Sequence, residues 1–105
     1  MKTSELTDHA LNWAVAKCAG AINGDDLDVG FILEGGYSPP TDWSQGGPII
    51  EREKIQIKEN GYGHWFAKIG KGSWMRGLTP LIAAMRCYVA SKLGDEVELP
   101  EGITE

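Results

Sequence analysis

Apolar positions near the start of the chain recur at helical spacing. Between residues 11 and 18 they fall on one face, which predicts a helix over residues 8–19 with Thr7 as its N-cap and Gly20 just beyond its end. Trp13 lies on the opposite face. A tryptophan there packs under a loop, forms part of an oligomer interface, or offers a platform to a ligand, and the sequence leaves these three readings open.

A second helix is predicted over residues 80–92. Thr79 suits its N-cap, and Pro80 suits the first helical position, where the missing N–H costs nothing. This helix is apolar nearly all round, a pattern typical of helices that are buried on both sides. Its reverse side carries the small residues Ala83, Cys87 and Ala90. We therefore expect another helix or a second copy of the chain to cover that side, and so a homo-oligomer.

Between the two helices the period changes to that of strands. Residues 54–58 alternate between apolar and polar, Asn60-Gly61 is a strong turn signal, and residues 64–69 return as a strand. These features predict a β-hairpin, and the apolar run at residues 29–33 predicts a short buried strand. The predicted class is α+β: an N-terminal helix, a short strand, a long loop, the hairpin, and a C-terminal helix packed on a small antiparallel sheet.

Glycine and proline mark the predicted loops. Residues 35–48 read as one long Gly/Pro-rich loop, and residues 70–77 as a second glycine-rich loop. Long loops inside small domains usually carry function. The acidic stretch at residues 23–28 predicts a solvated turn. It does not fit a calcium-binding loop, because Leu27 stands where such a loop needs a ligand.

The net charge of −5 is unevenly distributed. Residues 1–51 hold eight acids and two bases, residues 52–92 hold eight bases and two acids, and residues 93–105 hold five acids and no base. The basic middle segment either pairs with the acidic halves or attracts an anionic ligand. The overall acidity argues against a duplex nucleic acid partner.

The length allows one domain, predicted over residues 1–94, followed by an acidic, partly disordered tail at residues 95–105. No apolar run approaches the ~20 residues that a membrane span needs, and the start of the chain does not resemble a signal peptide. We therefore expect no membrane association and a cytoplasmic location, where both cysteines stay reduced.

Motifs for catalysis are not found in the sequence. It has no P-loop, no dinucleotide fingerprint and no paired cysteines or histidines at zinc spacing. Cys18 and Cys87 fall inside predicted helices rather than at helix N-termini, where thiols become reactive. We expect no cofactor and no metal, and we favour a binding protein over an enzyme, while a small hydrolase or transferase that uses Asp42 or His64 stays open.

The predicted loops carry the residue types of a nucleotide-like ligand site. Aromatic rings can stack on a base, cations can neutralise phosphates, and polar groups can bind ribose hydroxyls or base edges. Arg86, alone in an apolar helix, must either pair with an acid of the N-terminal half or meet a ligand anion. The candidate ligand-binding residues are Tyr37, Ser38, Thr41, Asp42, Trp43, Gln45, Arg52, Trp74, Arg76 and Arg86. The same residue types also dominate protein interfaces, so that alternative stays open.

Two blocks of sequence resemble the NinX-like family of tailed phages and prophages, a domain of unknown function. Residues 37–50 read YSPPTDWSQGGPII and residues 79–97 read TPLIAAMRCYVASKLGDEV. Residues 1–6 and 11–16 are also similar to the family, while Pro40 stands where serine is expected.

The resemblance implies an accessory protein expressed in the cytoplasm of an infected bacterium, with no established reaction. By analogy with other small phage proteins, we expect it to sequester a small anionic nucleotide-derived ligand and so counter host defence. The alternative expectation is a module that binds and modulates a host protein.

Overall fold

The computed structural model describes residues 1–22 and 27–103, with the backbone alone at residues 27 and 28. The predicted acidic turn at residues 23–28 lies largely outside these residues. Within them the chain forms a 3-10 turn at Thr3–Glu5, four α-helices and three β-strands. The helices are α1 (Asp8–Cys18), α2 (Leu27–Leu33), α3 (Trp43–Glu53) and α4 (Pro80–Leu93). The strands are β1 (Ile55–Glu59), β2 (Trp65–Ile69) and β3 (Met75–Gly77). The predicted α+β class is confirmed.

The three strands form an antiparallel sheet in the order β1-β2-β3. Ile57 pairs with Ala67, and Ala67 pairs with Met75, so these side chains share one face of the sheet. Helix α4 packs across all three strands on this face, and α1 packs against α4. The predicted hairpin and the C-terminal helix packed on a small sheet are thus both present.

The small side of α4 faces the sheet of its own chain. A Cβ at Gly77 of β3 would lie only 2.8 Å from the Cα of Ala83, so the strand and the helix touch through their backbones. Ala83 and Cys87 are buried by this contact. The inference that this side needs a second subunit was therefore wrong, because its small side chains allow the sheet of the same chain to pack closely against α4. A homo-oligomer stays a prediction without this reason for it.

Trp13 is buried, with 2% of its surface exposed. The interpretations that gave it a surface role, as an oligomer contact or a ligand platform, are wrong because the chain's own core covers its ring. The Lys17 ammonium lies 5.2 Å from the ring centroid. Among the described residues, the buried indole N–H finds no acceptor.

Three predicted elements differ from the structure. The strand expected at residues 29–33 is instead helix α2, because a short apolar run does not distinguish a strand from a helix. The second half of the loop expected at residues 35–48 is the start of α3. The end of the second loop forms β3. These segments take their structure from their neighbours rather than from a strong local pattern.

The acidic segment after α4 packs on the core. Val97 and Ile103 are both buried. The Val97 amide donates to the Met1 carbonyl at 2.8 Å, and the terminal amine of Met1 donates to the Val97 carbonyl at 3.0 Å. The apolar residues of this segment are thus held on the core between exposed acids, and a partly disordered tail stays a prediction.

Candidate functional site

The loop before α3 is held together by its own polar side chains. Asp42 caps the helix: its Oδ1 accepts from the Ser44 amide at 2.9 Å and from the Ser44 hydroxyl at 2.7 Å. Its Oδ2 accepts from Gln45 Nε2 at 3.0 Å. These hydrogen bonds lower the pKa of Asp42 below its usual value, because they favour the carboxylate. Asp42 thus serves first to start α3.

Gln45 closes the same loop from the other side. Its Oε1 accepts from the Ser38 amide at 2.9 Å, and its Nε2 donates to the Gly36 carbonyl at 3.2 Å. Tyr37 is half-buried, its ring centroid is 6.2 Å from that of Phe31, and burial raises its pKa. The loop residues predicted to hold a ligand thus already make contacts that shape the loop.

Two predicted arginines also make internal contacts. Arg86 donates from Nε to the Leu6 carbonyl at 2.8 Å and from Nη1 to the Arg76 carbonyl at 2.9 Å. Arg86 therefore joins the chain before α1 to β3. Arg52 contacts the Glu53 carboxylate at 3.0 Å within α3. It also donates to the Tyr88 hydroxyl at 3.3 Å, and this second contact joins α3 to α4.

The starts of α1, α3 and α4 surround a cleft. Its larger recess, of about 430 Å³, lies beside the start of α1, and its smaller recess, of about 220 Å³, lies between the starts of α3 and α4. The two recesses share Pro40, Thr41 and Ile82. We call the whole the three-helix cleft; its lining residues are Thr7, Asp8, His9, Leu11, Asn12, Pro40, Thr41, Trp43, Leu78, Thr79, Pro80, Leu81 and Ile82.

Asn12 is the most unusual residue of this cleft. It is more than nine-tenths buried, at 8% exposed, and it lines the larger recess. Its side-chain amide makes no hydrogen bond within the described part of the chain. The amide atoms are not themselves buried without a partner, a condition that in the described part of the chain holds only for Trp13 Nε1, so they reach solvent in the recess and are open to a bound molecule.

Polar and aromatic groups lie around Asn12. Asp8 and His9 are exposed at the start of α1, and Thr41 is exposed where the recesses meet. Trp43 opens α3 beside Thr41, with 56% of its surface exposed. Helix N-termini carry partial positive charge, so the start of α4 favours an anionic group, while the carboxylates of Asp8 and Asp42 disfavour one at the starts of α1 and α3.

The remaining predicted residues lie elsewhere. Trp74 and Arg76 are on the sheet, and Trp74 lines a different recess of about 300 Å³ with Lys58 and Phe66. That recess shares no lining residue with the three-helix cleft. Of the ten predicted residues, only Thr41 and Trp43 line the cleft. The structure thus does not gather the predicted aromatic and cationic residues into one site.

Sequence reasoning missed Asp8, His9 and Asn12 as a group. They occupy positions one, two and five of α1, and therefore project near one another. The available signal was Asn12, a polar residue between Leu11 and Trp13 in a helix that is otherwise apolar there. Such a residue is either satisfied in the core or directed into a cavity, and here it lines a cavity.

The fold defines a small α+β protein in which helices cover one face of a three-stranded sheet and leave a cleft at their N-terminal ends. The family model described as Bacteriophage P22, NinX matches residues 2–92. The chain therefore belongs to the NinX family of phage proteins, and the predicted resemblance is confirmed. Among curated proteins, no sequence matches the chain at a significant level. Within the described residues, none of the helices has the length and apolar character needed to cross a membrane.

Proposed function

We propose that this phage accessory protein binds a small nucleotide-derived ligand in the three-helix cleft and thereby sequesters it in the host cytoplasm. The observation that carries the proposal is Asn12, a largely buried residue whose amide has no hydrogen-bond partner among the described residues and opens into the cleft. An amide side chain can pair with both a donor and an acceptor on a nucleobase edge. A ligand that covers the recess must pair with this amide or leave it buried and unpaired, and the second case costs free energy.

The rest of the cleft supports the same class of ligand. The larger recess, at about 430 Å³, falls within the usual range of small-molecule sites, roughly 300 to 1,000 Å³. Trp43 offers an exposed indole on which a base can stack. Asp8 and Thr41 can bind ribose hydroxyls, while the start of α4 favours a phosphate placed away from Asp8 and Asp42.

The proposal is tested by isothermal titration calorimetry with mononucleotides, cyclic dinucleotides and cyclic ADP-ribose isomers. The informative variant is Asn12→Leu, which has similar volume and removes the amide that opens into the cleft. We expect Asn12→Leu to unfold at the same or a higher temperature, since the buried amide is replaced by an apolar group, and to bind at least about tenfold more weakly. Trp43→Ala should also weaken binding, while Trp74→Ala, outside the cleft, should not.

Two results would overturn the proposal. One is the absence of heat from every nucleotide in the panel with folded protein. The other is an Asn12→Leu variant that binds the ligand with unchanged affinity. In either case the unpartnered amide has no role in recognition.

Binding of a host protein is the second candidate function, but the residues that support it differ from the one used in the sequence argument. The sequence argument used Trp13, which is buried. The structure instead exposes 69% of Leu78 and 56% of Trp43 at the edge of the cleft. If a host protein binds there, it should be recovered in stoichiometric amount from infected cells with the wild-type chain, and Leu78→Ser should lose it.

A further inference from the structure

The sheet has a second face that α4 does not cover. Side chains alternate along strands, so the residues between the inward-facing ones point outward. The register places Lys58 opposite Phe66 and Phe66 opposite Arg76 on this outer face, and places Lys68 opposite Gln56. Trp74, just before β3, lies over the same face. We call this surface the outer sheet face, formed by Gln56, Lys58, Phe66, Lys68, Trp74 and Arg76.

Trp74 is the centre of this surface. The Lys58 ammonium lies 4.4 Å and the Lys68 ammonium 4.9 Å from the centroid of its ring. The side chain is still 38% exposed, and beside it lies the recess of about 300 Å³ that Phe66 also lines. Two aromatic rings and Lys58 thus border one shallow space together with Glu59 and Asn60, and Lys68 lies close to the Trp74 ring.

The charge of this face is opposite to that of the chain. The whole protein carries −5, yet the outward-pointing strand residues include Lys58, Lys68 and Arg76 and no acid. Glu59, at the end of β1, is the acid of that strand that borders the recess beside Trp74. A cationic patch on an acidic protein attracts a polyanion locally while the rest of the surface repels it.

We propose that the outer sheet face binds single-stranded nucleic acid. An unpaired base can stack on Trp74 or Phe66, whereas the bases of a duplex are stacked on one another and are not accessible. Lys58 and Arg76 lie on either side of Phe66, on strands two interstrand spacings or about 10 Å apart, so their long side chains can contact phosphates on both sides of a base stacked there. The combination of a basic groove and aromatic platforms is the general basis of single-strand binding.

This inference does not depend on the three-helix cleft, since the two surfaces share no residue. Two other occupants could explain the same features. One is any polyanion, bound by charge alone; the other is the acidic segment at residues 95–103 of a second copy. The experiment separates all three.

Fluorescence anisotropy with a short labelled oligothymidylate, at low salt and over a salt series, tests the proposal. We expect Trp74→Ala to weaken binding by about fivefold or more, since stacking contributes substantially for each base. Lys58→Gln and Lys68→Gln should each reduce the slope of log affinity against log salt by about 0.7. Controls off the face are Phe31→Ala, which removes an exposed aromatic ring of α2, and Lys92→Gln, which removes another exposed lysine. Neither should change the affinity, and circular dichroism should show all variants folded.

The proposal is overturned by any of three outcomes. The oligothymidylate does not bind even at low salt. Heparin competes as well as the single strand and Trp74→Ala has no effect, which indicates charge alone. Sedimentation shows a dimer that Trp74→Ala dissociates while no oligonucleotide binds, which identifies a second copy as the occupant. A duplex of the same length should compete poorly.

Discussion

Gly46 joins the loop before α3 to the start of α4, and its replacement by alanine should destabilise the protein. A Cβ at this position would lie 2.5 Å from the Pro39 carbonyl oxygen and 2.6 Å from Leu81 Cδ2. The leucine side chain can rotate, but the carbonyl belongs to the backbone of the loop. The loop must therefore move away from α3, and the wall of the three-helix cleft must move with it.

The magnitude follows from two opposing terms. Forcing a methyl group into a packed site costs typically 1 to 3 kcal/mol, and contact with backbone places Gly46 near the upper end, about 3 kcal/mol. Alanine favours a helix over glycine by about 1 kcal/mol. The net loss in the free energy of unfolding is therefore about 2 kcal/mol, which lowers the melting temperature by about 8 °C for a domain of this size.

Thermal and urea unfolding followed by circular dichroism at helical wavelengths measure this loss. The matched control is Gly30→Ala in α2, where a Cβ would meet nothing within 4 Å. There only the helix-propensity term acts, so the control should be unchanged or stabilised by up to about 1 kcal/mol. If Gly46→Ala is as stable as Gly30→Ala, the loop does not press on α3 as described, and the account of this wall of the cleft is wrong.

Two further predictions concern titrating groups. The hydrogen bonds to Asp42 lower its pKa in the folded state, so its contribution to stability is present above about pH 4 and is lost as the pH falls through the folded pKa. The free energy of unfolding, measured in urea across this range, should therefore depend less on pH in Asp42→Asn than in the wild-type protein. An equal pH dependence in the two proteins would contradict the assignment. Burial raises the pKa of the Cys18 thiol to about 11 and also raises that of Cys87. Both thiols should therefore react with Ellman's reagent far more slowly in the folded protein than in denaturant, and a fast folded-state thiol would show that a cysteine is activated after all.

The sequence by itself determined the elements whose signals are local. Thr79 accepts from the Ile82 amide at 3.1 Å, as its N-cap position predicts, and Pro80 opens the helix. The alternating residues around Asn60-Gly61 form the hairpin. In each case neighbours within a few positions decide the conformation, because capping and turn hydrogen bonds close over short distances along the chain.

Helix α3 shows where local signals fail. Gly46, Gly47 and Pro48 predict a loop, yet all three lie inside the helix. Asp42 starts it through its side chain, and Gly46 is accommodated because the loop and α4 occupy the space that a Cβ would take. The glycine that argues against a helix by propensity is required by a contact with a distant part of the chain.

The tertiary structure alone decided which faces are covered and which residues meet. It buried Trp13, and it turned the small side of α4 onto the sheet rather than toward a second subunit. It also separated Trp43 from Trp74 and brought Asn12 and Trp43 to the two adjoining recesses of one cleft. Periodicity shows that a helix has an apolar face but not what packs on it, because that depends on contacts between residues far apart in sequence. The positions of the candidate sites depend on those contacts, so they could be located only in the folded chain.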